Sequence, residues 1–384
     1  MNPLLDVRIV ESGPRPLAKV AISGGGRCNV THACFDVDRL VEAYPRGGRQ
    51  LRPLFRRFGP RETVAWFETL GVRLKTEPDG RMFPVTDDAQ TVVNALLSRA
   101  ERLGVRLETK TPVKRIAPSP RGFDVDGMPA GTVVLATGGS RGGFALAAAL
   151  GHEMVAPVPS LFTFQVNDPR LTGLAGVSLP HARGRLEGTG FDVPAQEGPL
   201  LITHWGLSGP MVLRLSAWGA RALHATGYRA RLRLDMLASM SFDDVRGRLL
   251  ERKARGDRKH AGNDVPLPLP RRLWERLLEA CDIAPDRAWC EVPGKGLNRL
   301  AEMVKNGELE ISGKGVFKEE FVTAGGVALS ELDLQTMQSR RAPGLFCVGE
   351  LIDVDALTGG FNFQNAWTTG FIAGEAAARE RGRR

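Results

Sequence analysis

The chain has few cysteines and no CxxC pair among them. Cys28, Cys34, Cys281, Cys290 and Cys347 are scattered over 384 residues and odd in number, which argues against a disulfide framework, against a zinc site and for a reducing compartment. No metal is expected. Long apolar runs are missing too: "PGLFCVG" and "ALAAALG" fall well short of the roughly 20 residues a membrane helix needs, and no secretory leader pattern opens the sequence. A soluble, cytoplasmic protein with no membrane partner is expected. Aromatic residues make up only 7% and are not interleaved with the basic segments, which counts against a platform for stacking nucleic-acid bases.

Positive charge is in excess, at +9. Its tight clusters are three: 46–61 ("RGGRQLRPLFRRFGPR"), 251–260 ("ERKARGDRKH") and the tail "RERGRR". Elsewhere arginine is spread along the chain and mixed with acids, the pattern of solvated helix faces, so nucleic acid is not an expected partner.

The order of patterns describes an α/β protein with an insertion. "DVRIVE" at 6–11 has the form of a short buried strand ending in an acid, followed by turn residues. Helical period appears at 61–72, through Val64, Phe67 and Leu70, and again from 89, through Val92, Val93, Leu96, Leu97 and Ala100, until Gly104 closes it. "TVVLATGG" at 132–139 is an apolar strand running into a glycine pair and a small-residue helix, the order an open α/β sheet uses at its ligand edge. From 158 to 268 the segments are short and punctuated by turns, as in antiparallel strands. Two amphipathic helices follow, "PRRLWERLLEACDI" and "KGLNRLAEMVKNG". The expected division is therefore 1–157, a β-rich insert at 158–268, a small helical subdomain at 269–318, and a return to the first domain at 319–384.

The last forty residues are the most informative. "LFCVGE" is a continuous apolar strand delivering Gly349 and Glu350 at its end; Asp353, Asp355 and the pair Gly359-Gly360 follow, and a helix starts near Asn362. Ala366, Gly370, Ala373 or Gly374, and Ala377 give that helix a nearly bare face. A glycine pair at a helix N-terminus beside a buried sheet can receive an anion or a carbonyl oxygen. "SGGGRCNVTH" at 23–32 is a second glycine loop, with neither GxGxxG nor GxxxxGK[ST] spacing.

"SGGGRCNVTH", "VVLATGG", "THWGLSGP", "VTAGGVAL" and "GLFCVGELIDVDALTGGFNFQNAWTTGFIAGEAAA" occur in the order found in YhiN-like flavoproteins, and the chain resembles that bacterial family, also known as aminoacetone oxidase-like or NAD(P)/FAD-dependent oxidoreductases, over essentially its whole length. The resemblance implies a split, Rossmann-like FAD-binding domain of the two-dinucleotide-binding type, interrupted by an antiparallel β-barrel-like domain and a helical subdomain. It implies FAD as cofactor and hydride or electron transfer between flavin and a small organic substrate, with NAD(P)H as a transient electron donor. Glu11 would bond the adenosine ribose; Gly24, Gly25, Gly26, Arg27, Cys28 and Asn29 would line the pyrophosphate and flavin side; Thr137, Gly138 and Gly139 would pass the adenine half. Gly349, Glu350 and Asp353 would flank the ribityl chain, and Gly359, Gly360, Phe361 and Asn362 would face the pyrimidine end of the flavin.

One departure stands out. A first strand and GxGxxG turn should precede the ribose acid by roughly 20 to 30 residues, and ten residues precede Glu11. The expectation is that the 384 residues bind FAD poorly, or fold poorly. Catalytic groups are not fixed by the sequence. Cys28 is a redox thiol or a structural one, His204 a substrate-facing acid/base or a structural histidine, Arg27 an anion contact or a partner for nearby acids, and His32 a cap or loop residue. The alternative function is a non-catalytic, cofactor-deficient scaffold that binds nucleic acid through its basic surface.

Overall fold

The computed structural model describes residues 5–188, 190, 192–315 and 322–380. It divides into two compact units, Met1–Pro157 with Val322–Arg384, and Val158–Phe321.

The first unit begins with β1 (Arg8–Val10), α1 (Ala18–Gly26), β2 (Thr31–His32), α2 (Val37–Leu40), α3 (Gly48–Arg57) and α4 (Pro60–Thr69). Local chemistry sets these boundaries. Asp36 caps α2 by accepting from the Asp38 N–H at 2.9 Å, and Pro60 opens α4 while Glu62 reaches back to the Gly59 N–H. β3 (Leu74–Thr76) and β4 (Arg81–Pro84) form a hairpin that pairs with β2, and α5 (Ala89–Arg102), capped by Asp88, leads to β5 (Arg106–Glu108). β5 pairs in parallel with β1, Arg8 opposite Arg106. A meander of β6 (Ile116–Ser119), β7 (Gly122–Val125) and β8 (Met128–Ala130) precedes β9 (Val133–Leu135) and α6 (Arg141–Ala149).

β10 (Met154–Ser160) is followed by the strands and helices of the second unit: β11 (Phe164–Val166), β12 (Ser178–Glu187), β13 (Gln196–Thr203), β14 (Gly206–Ser208), α7 (Pro210–Trp218), α8 (Ala220–Ala225), β15 (Ala230–Asp235), α9 (Phe242–Ala254), α10 (Arg271–Ala280), α11 (Gly294–Asn306) and β16 (Gly307–Lys314). Six of these strands close an antiparallel barrel in the order β11-β14-β13-β12-β15-β16, with β16 returning to β11. Alternation explains it: Ala182 and Leu186 on β12 and Leu232 and Leu234 on β15 are buried, while Arg183, Arg231 and Arg233 point outward. Gly184 lets α7 lie against the strands, since a Cβ there would come within 2.7 Å of Leu215 and Met211. Trp274, Leu277, Trp289 and Leu300, from the helical segments, belong to the same apolar cluster as the barrel interior.

The chain then supplies the first unit with β17 (Val322–Val327), paired with β10, and with β18 (Leu332–Asp333), β19 (Gln338–Ser339), β20 (Leu345–Cys347) and α12 (Phe361–Glu380). β20 pairs in parallel with β9, completing a sheet of order β18-β19-β20-β9. Residues 316–321, where the helical subdomain was expected to give way to the first domain, and most of the basic tail lie outside the described residues.

The segment 6–11 is a strand, but not a buried one. Val7 and Ile9 are 43% and 45% exposed, and Leu107 on β5, Ile22 on α1 and Val134 on β9 are exposed as well. Parallel strands are buried when neighbours and covering helices flank them. Among the described residues β1 pairs only with β5, and β9 only with β20, so each keeps one open edge. No helix among the described residues is long and apolar enough to cross a membrane.

Candidate cofactor site

Three glycine-rich turns meet in the first unit. α1 ends in a left-handed run, Gly24 (φ 57°), Gly25 (φ 69°) and Gly26 (φ 82°), a conformation that favours glycine. A Cβ on Gly25 or Gly26 would meet no protein atom within 4 Å, so their backbone borders open space. A Cβ on Gly24, by contrast, would lie 2.9 Å from the Asn29 nitrogen and from the Phe83 ring. The loop is thus anchored at its first glycine and free at the next two.

β2 joins this loop to the start of α12. With its amide oriented to satisfy its neighbours, Asn29 donates to the carbonyls of Thr31 and Met82 and accepts the Gly360 N–H at 2.9 Å. Thr31 Oγ1 donates to Gln364 Oε1 at 2.6 Å, the Trp367 indole donates to the Val30 carbonyl, and the His32 ring stacks on Phe361 at 4.6 Å. Gly360 (φ 93°) packs on the Thr31 backbone so closely that a Cβ would lie 2.5 Å from its carbonyl oxygen. Tyr44 donates to the Phe361 carbonyl at 2.7 Å, and Asn362 holds the Ala356 N–H and carbonyl, fixing the turn before the helix.

The third turn follows β9. Gly138 (φ 60°) and Gly139 lie beside Glu350, whose carboxylate accepts the Thr323 N–H at 2.9 Å and the Lys19 ammonium at 2.6 Å. Lys19 sits on α1, so this ion pair connects the first glycine loop to the end of β20. Gly349 (φ 67°) donates its N–H to Thr369 and its carbonyl accepts from Asn365, both on α12. The Asn365 Oδ1 and His32 Nδ1 atoms are buried without a hydrogen-bond partner.

Gly24, Asn29 and Gly360 are therefore linked through direct contacts, as are Gly138 and Gly139 with Glu350, and Thr137 packs on Gly143 at the start of α6. Glu11 is placed differently: its carboxylate folds back to accept the Gly13 N–H at 2.6 Å. Arg27 pairs with Glu77 at 2.6 Å and lies 4.0 Å over the Phe83 ring. Asp353 is half-buried, with its N–H bonded to Val327. His204 belongs to the second unit, exposed on the β13–β14 turn and edge-on to Trp205.

Charge and burial decide what these groups can do. Burial pushes the Cys28 thiol up to about 11, against a weaker opposing hydrogen bond with Ser23, so it stays protonated near neutral pH. Burial also lowers the His32 pKa, outweighing the Asp79 carbonyl that bonds its Nε2. Sequence patterns missed Lys19, Thr323, Asn365 and the buried Asp355, which is bridged by Arg46. Asp355 was visible only as an acid preceding the glycine pair.

A family model described as "HI0933-like protein Rossmann domain" matches residues 2–376. The chain is 31% identical to a 3-dehydro-bile acid Δ(4,6)-reductase from Clostridium scindens, over 94% of this chain and 90% of that protein. It is 28% identical to a ribosomal RNA dihydrouridine synthase from Escherichia coli, over 96% of this chain and 91% of that protein. Among solved structures, a 3-ketosteroid-Δ4-(5α)-dehydrogenase from Rhodococcus jostii RHA1 aligns with 97% of this chain and 92% of its own, at 14% identity and a TM-score of 0.47. The residues present fit a dinucleotide, with the Gly24–Gly26 loop joined through Asn29 to the glycine pair that opens α12, the Gly138-Gly139 turn set against Glu350, and open space at the Gly25 and Gly26 Cβ positions. The chain belongs to the HI0933-like family of FAD-binding, Rossmann-domain flavoproteins.

Proposed function

We propose that this protein is an FAD-dependent reductase of a carbon–carbon double bond conjugated to a carbonyl. The observation that carries this reading is the Asn29 link between the Gly24–Gly26 loop and the glycine pair opening α12, in a family where relatives are named as a dehydro-bile acid Δ(4,6)-reductase and a ribosomal RNA dihydrouridine synthase, both names for adding hydrogen across such a bond. FAD, when bound, supplies the hydride acceptor and donor. The chain's own contribution is electrostatic: first-turn N–H groups of α12 and the helix dipole would favour negative charge on a group bound at that N-terminus. Asn29, Thr31 and Tyr44 hold that turn rigid, and Lys19 with Thr323 fixes Glu350 for a hydroxyl-bearing part of the cofactor.

Cys28 serves as a packed, protonated thiol beneath the glycine loop, and His204 is the exposed candidate for proton transfer to substrate. NAD(P)H is the proposed electron source, and the scattered free cysteines suit a cytoplasmic setting. A non-catalytic scaffold is the less favoured alternative, because a binding protein has no need of three glycine turns held in register.

The test is a visible spectrum of this chain after incubation with FAD and desalting, followed by anaerobic reduction and addition of a conjugated enone or a uracil compound. Flavin bands that persist after desalting, and their reappearance on adding either acceptor to the reduced protein, are expected. Reoxidation by oxygen alone would sink the reductase reading.

A further inference from the structure

We propose that Lys19 is the charge sensor of the cofactor site: its ammonium leaves Glu350 for the diphosphate of a bound dinucleotide, and this exchange makes the site select FAD over riboflavin; this rests on the cofactor reading above. Lys19 stands in the first turn of α1, which carries no acid. Its Nζ pairs at 2.6 Å with Glu350, 331 positions away. The two partners are held unequally. Glu350 has a side chain 19% exposed, its other oxygen accepts the Thr323 N–H at 2.9 Å, and the backbone of the preceding Gly349 is bonded to Thr369 and Asn365 on α12. The Lys19 side chain is 68% exposed and has no second partner among the described residues. An ion pair with so exposed a cation is weak, and its cation readily changes partner.

The pair lies against the Gly138-Gly139 turn. A Cβ on Gly138 would come 3.7 Å from Glu350 Oε2 and 3.8 Å from Lys19 Nζ, and one on Gly139 would come 3.1 Å from Glu350 Oε1. The helix that carries Lys19 ends in the Gly24–Gly26 loop, whose last two glycines border open space. The cation that follows this loop is committed elsewhere: Arg27 pairs with Glu77 at 2.6 Å and with Asp87 at 3.6 Å, and lies over the Phe83 ring. Lys19 is thus the cation of this segment left to change partners. A diphosphate carries more charge than one carboxylate and binds an ammonium through stronger, charge-assisted hydrogen bonds. Once Lys19 moves, the Thr323 N–H keeps the carboxylate in place, and Oε2 is left to accept a sugar hydroxyl. Riboflavin has such hydroxyls but no phosphate, so it has to compete with Lys19 for that oxygen.

The probes are FAD and riboflavin, each titrated against the full chain by the change in flavin fluorescence. Lys19→Gln should weaken FAD about tenfold, the loss of one hydrogen bond to a charged group. The same variant should bind riboflavin as tightly as wild type or more tightly, because Oε2 is released. Lys19→Arg, which keeps the charge, should retain the preference for FAD, and Lys295→Gln, at an exposed position of α11, should leave both affinities unchanged. A Lys19 that served only to hold the fold would move both flavins in the same direction. Equal weakening of FAD and riboflavin by Lys19→Gln, an unchanged FAD affinity in that variant, or a wild-type protein with no preference for FAD would each overturn the proposal while leaving the cofactor reading intact. Failure of the cofactor reading looks different, and would overturn both: neither flavin binds, whatever residue stands at position 19.

Discussion

In the barrel all six strands are paired on both edges, and its interior alternates cleanly with a charged exterior. The parallel strands of the other unit are handled differently: among the described residues β1 and β9 each keep an open edge, and Val7, Ile9 and Val134, with Leu107 on β5 and Ile22 on α1, reach solvent. Closure removes edges outright, whereas a parallel sheet depends on neighbours and covering helices. The barrel unit leaves no strand edge open, while the cofactor-binding unit packs its helices into two separate buried clusters, one around β20 and α12 and one around α1, α4 and α5, and leaves strand edges exposed.

The sharpest test of that contrast is a matched pair of truncations. Leu232 is fully buried in the barrel, opposite Leu186 and Leu309 across the strands, and Leu232→Ala should cost about 2–5 kcal/mol in denaturant unfolding. Val134 is 42% exposed on β9, and Val134→Ala should cost less than about 1 kcal/mol. Comparable losses from the two would mean that the β9 edge is covered in solution.

Much of this organisation was legible beforehand, and the exceptions have a common cause. The glycine turns, the apolar strand at 345–347 and the helix starting at Phe361 show in the sequence because each has a local signature, in backbone demand or periodicity. The exposure of β1 was not legible, because "RIV" looks the same whether a neighbouring strand covers it or not. Lys19 with Glu350, and Arg46 with Asp355, are pairs 331 and 309 positions apart, and no spacing rule connects such residues. Glu11 was recognised as a strand-end acid, but its bond to the Gly13 N–H depends on the turn that follows.

A smaller effect compares the two units through buried thiols. Burial raises Cys28 in the first unit and Cys281 in the second from about 9 to about 11. The folded state keeps a proton that the unfolded chain loses, so each contribution is complete below pH 9 and disappears as pH rises from 9 toward 11. At pH 10 the loss is on the order of 1 kcal/mol per thiol. Relative to wild type, Cys28→Ala and Cys281→Ala should each unfold with a flatter dependence between pH 8 and pH 10. Should only Cys281→Ala flatten the curve, the glycine loop over Cys28 opens to solvent more readily than the barrel-side helices do.

A last pair of variants separates folding from binding within the cofactor unit itself. At Gly26 the left-handed backbone penalises alanine by roughly 1–2 kcal/mol, and the open space around its Cβ position adds no clash. A methyl group there projects into the space assigned to the cofactor. Gly26→Ala should therefore leave the fold largely intact while lowering FAD affinity, read by flavin fluorescence titration, far more than the mild destabilisation accounts for. Gly71→Ala is the control, because Gly71 also has a positive φ of 81° with nothing within 4 Å of its Cβ position, but it terminates α4 away from the glycine turns. Equal flavin affinity in the two variants would move the cofactor away from the Gly24–Gly26 loop, and with it the case that the open end of α1, rather than the closed barrel, is where the chemistry is held.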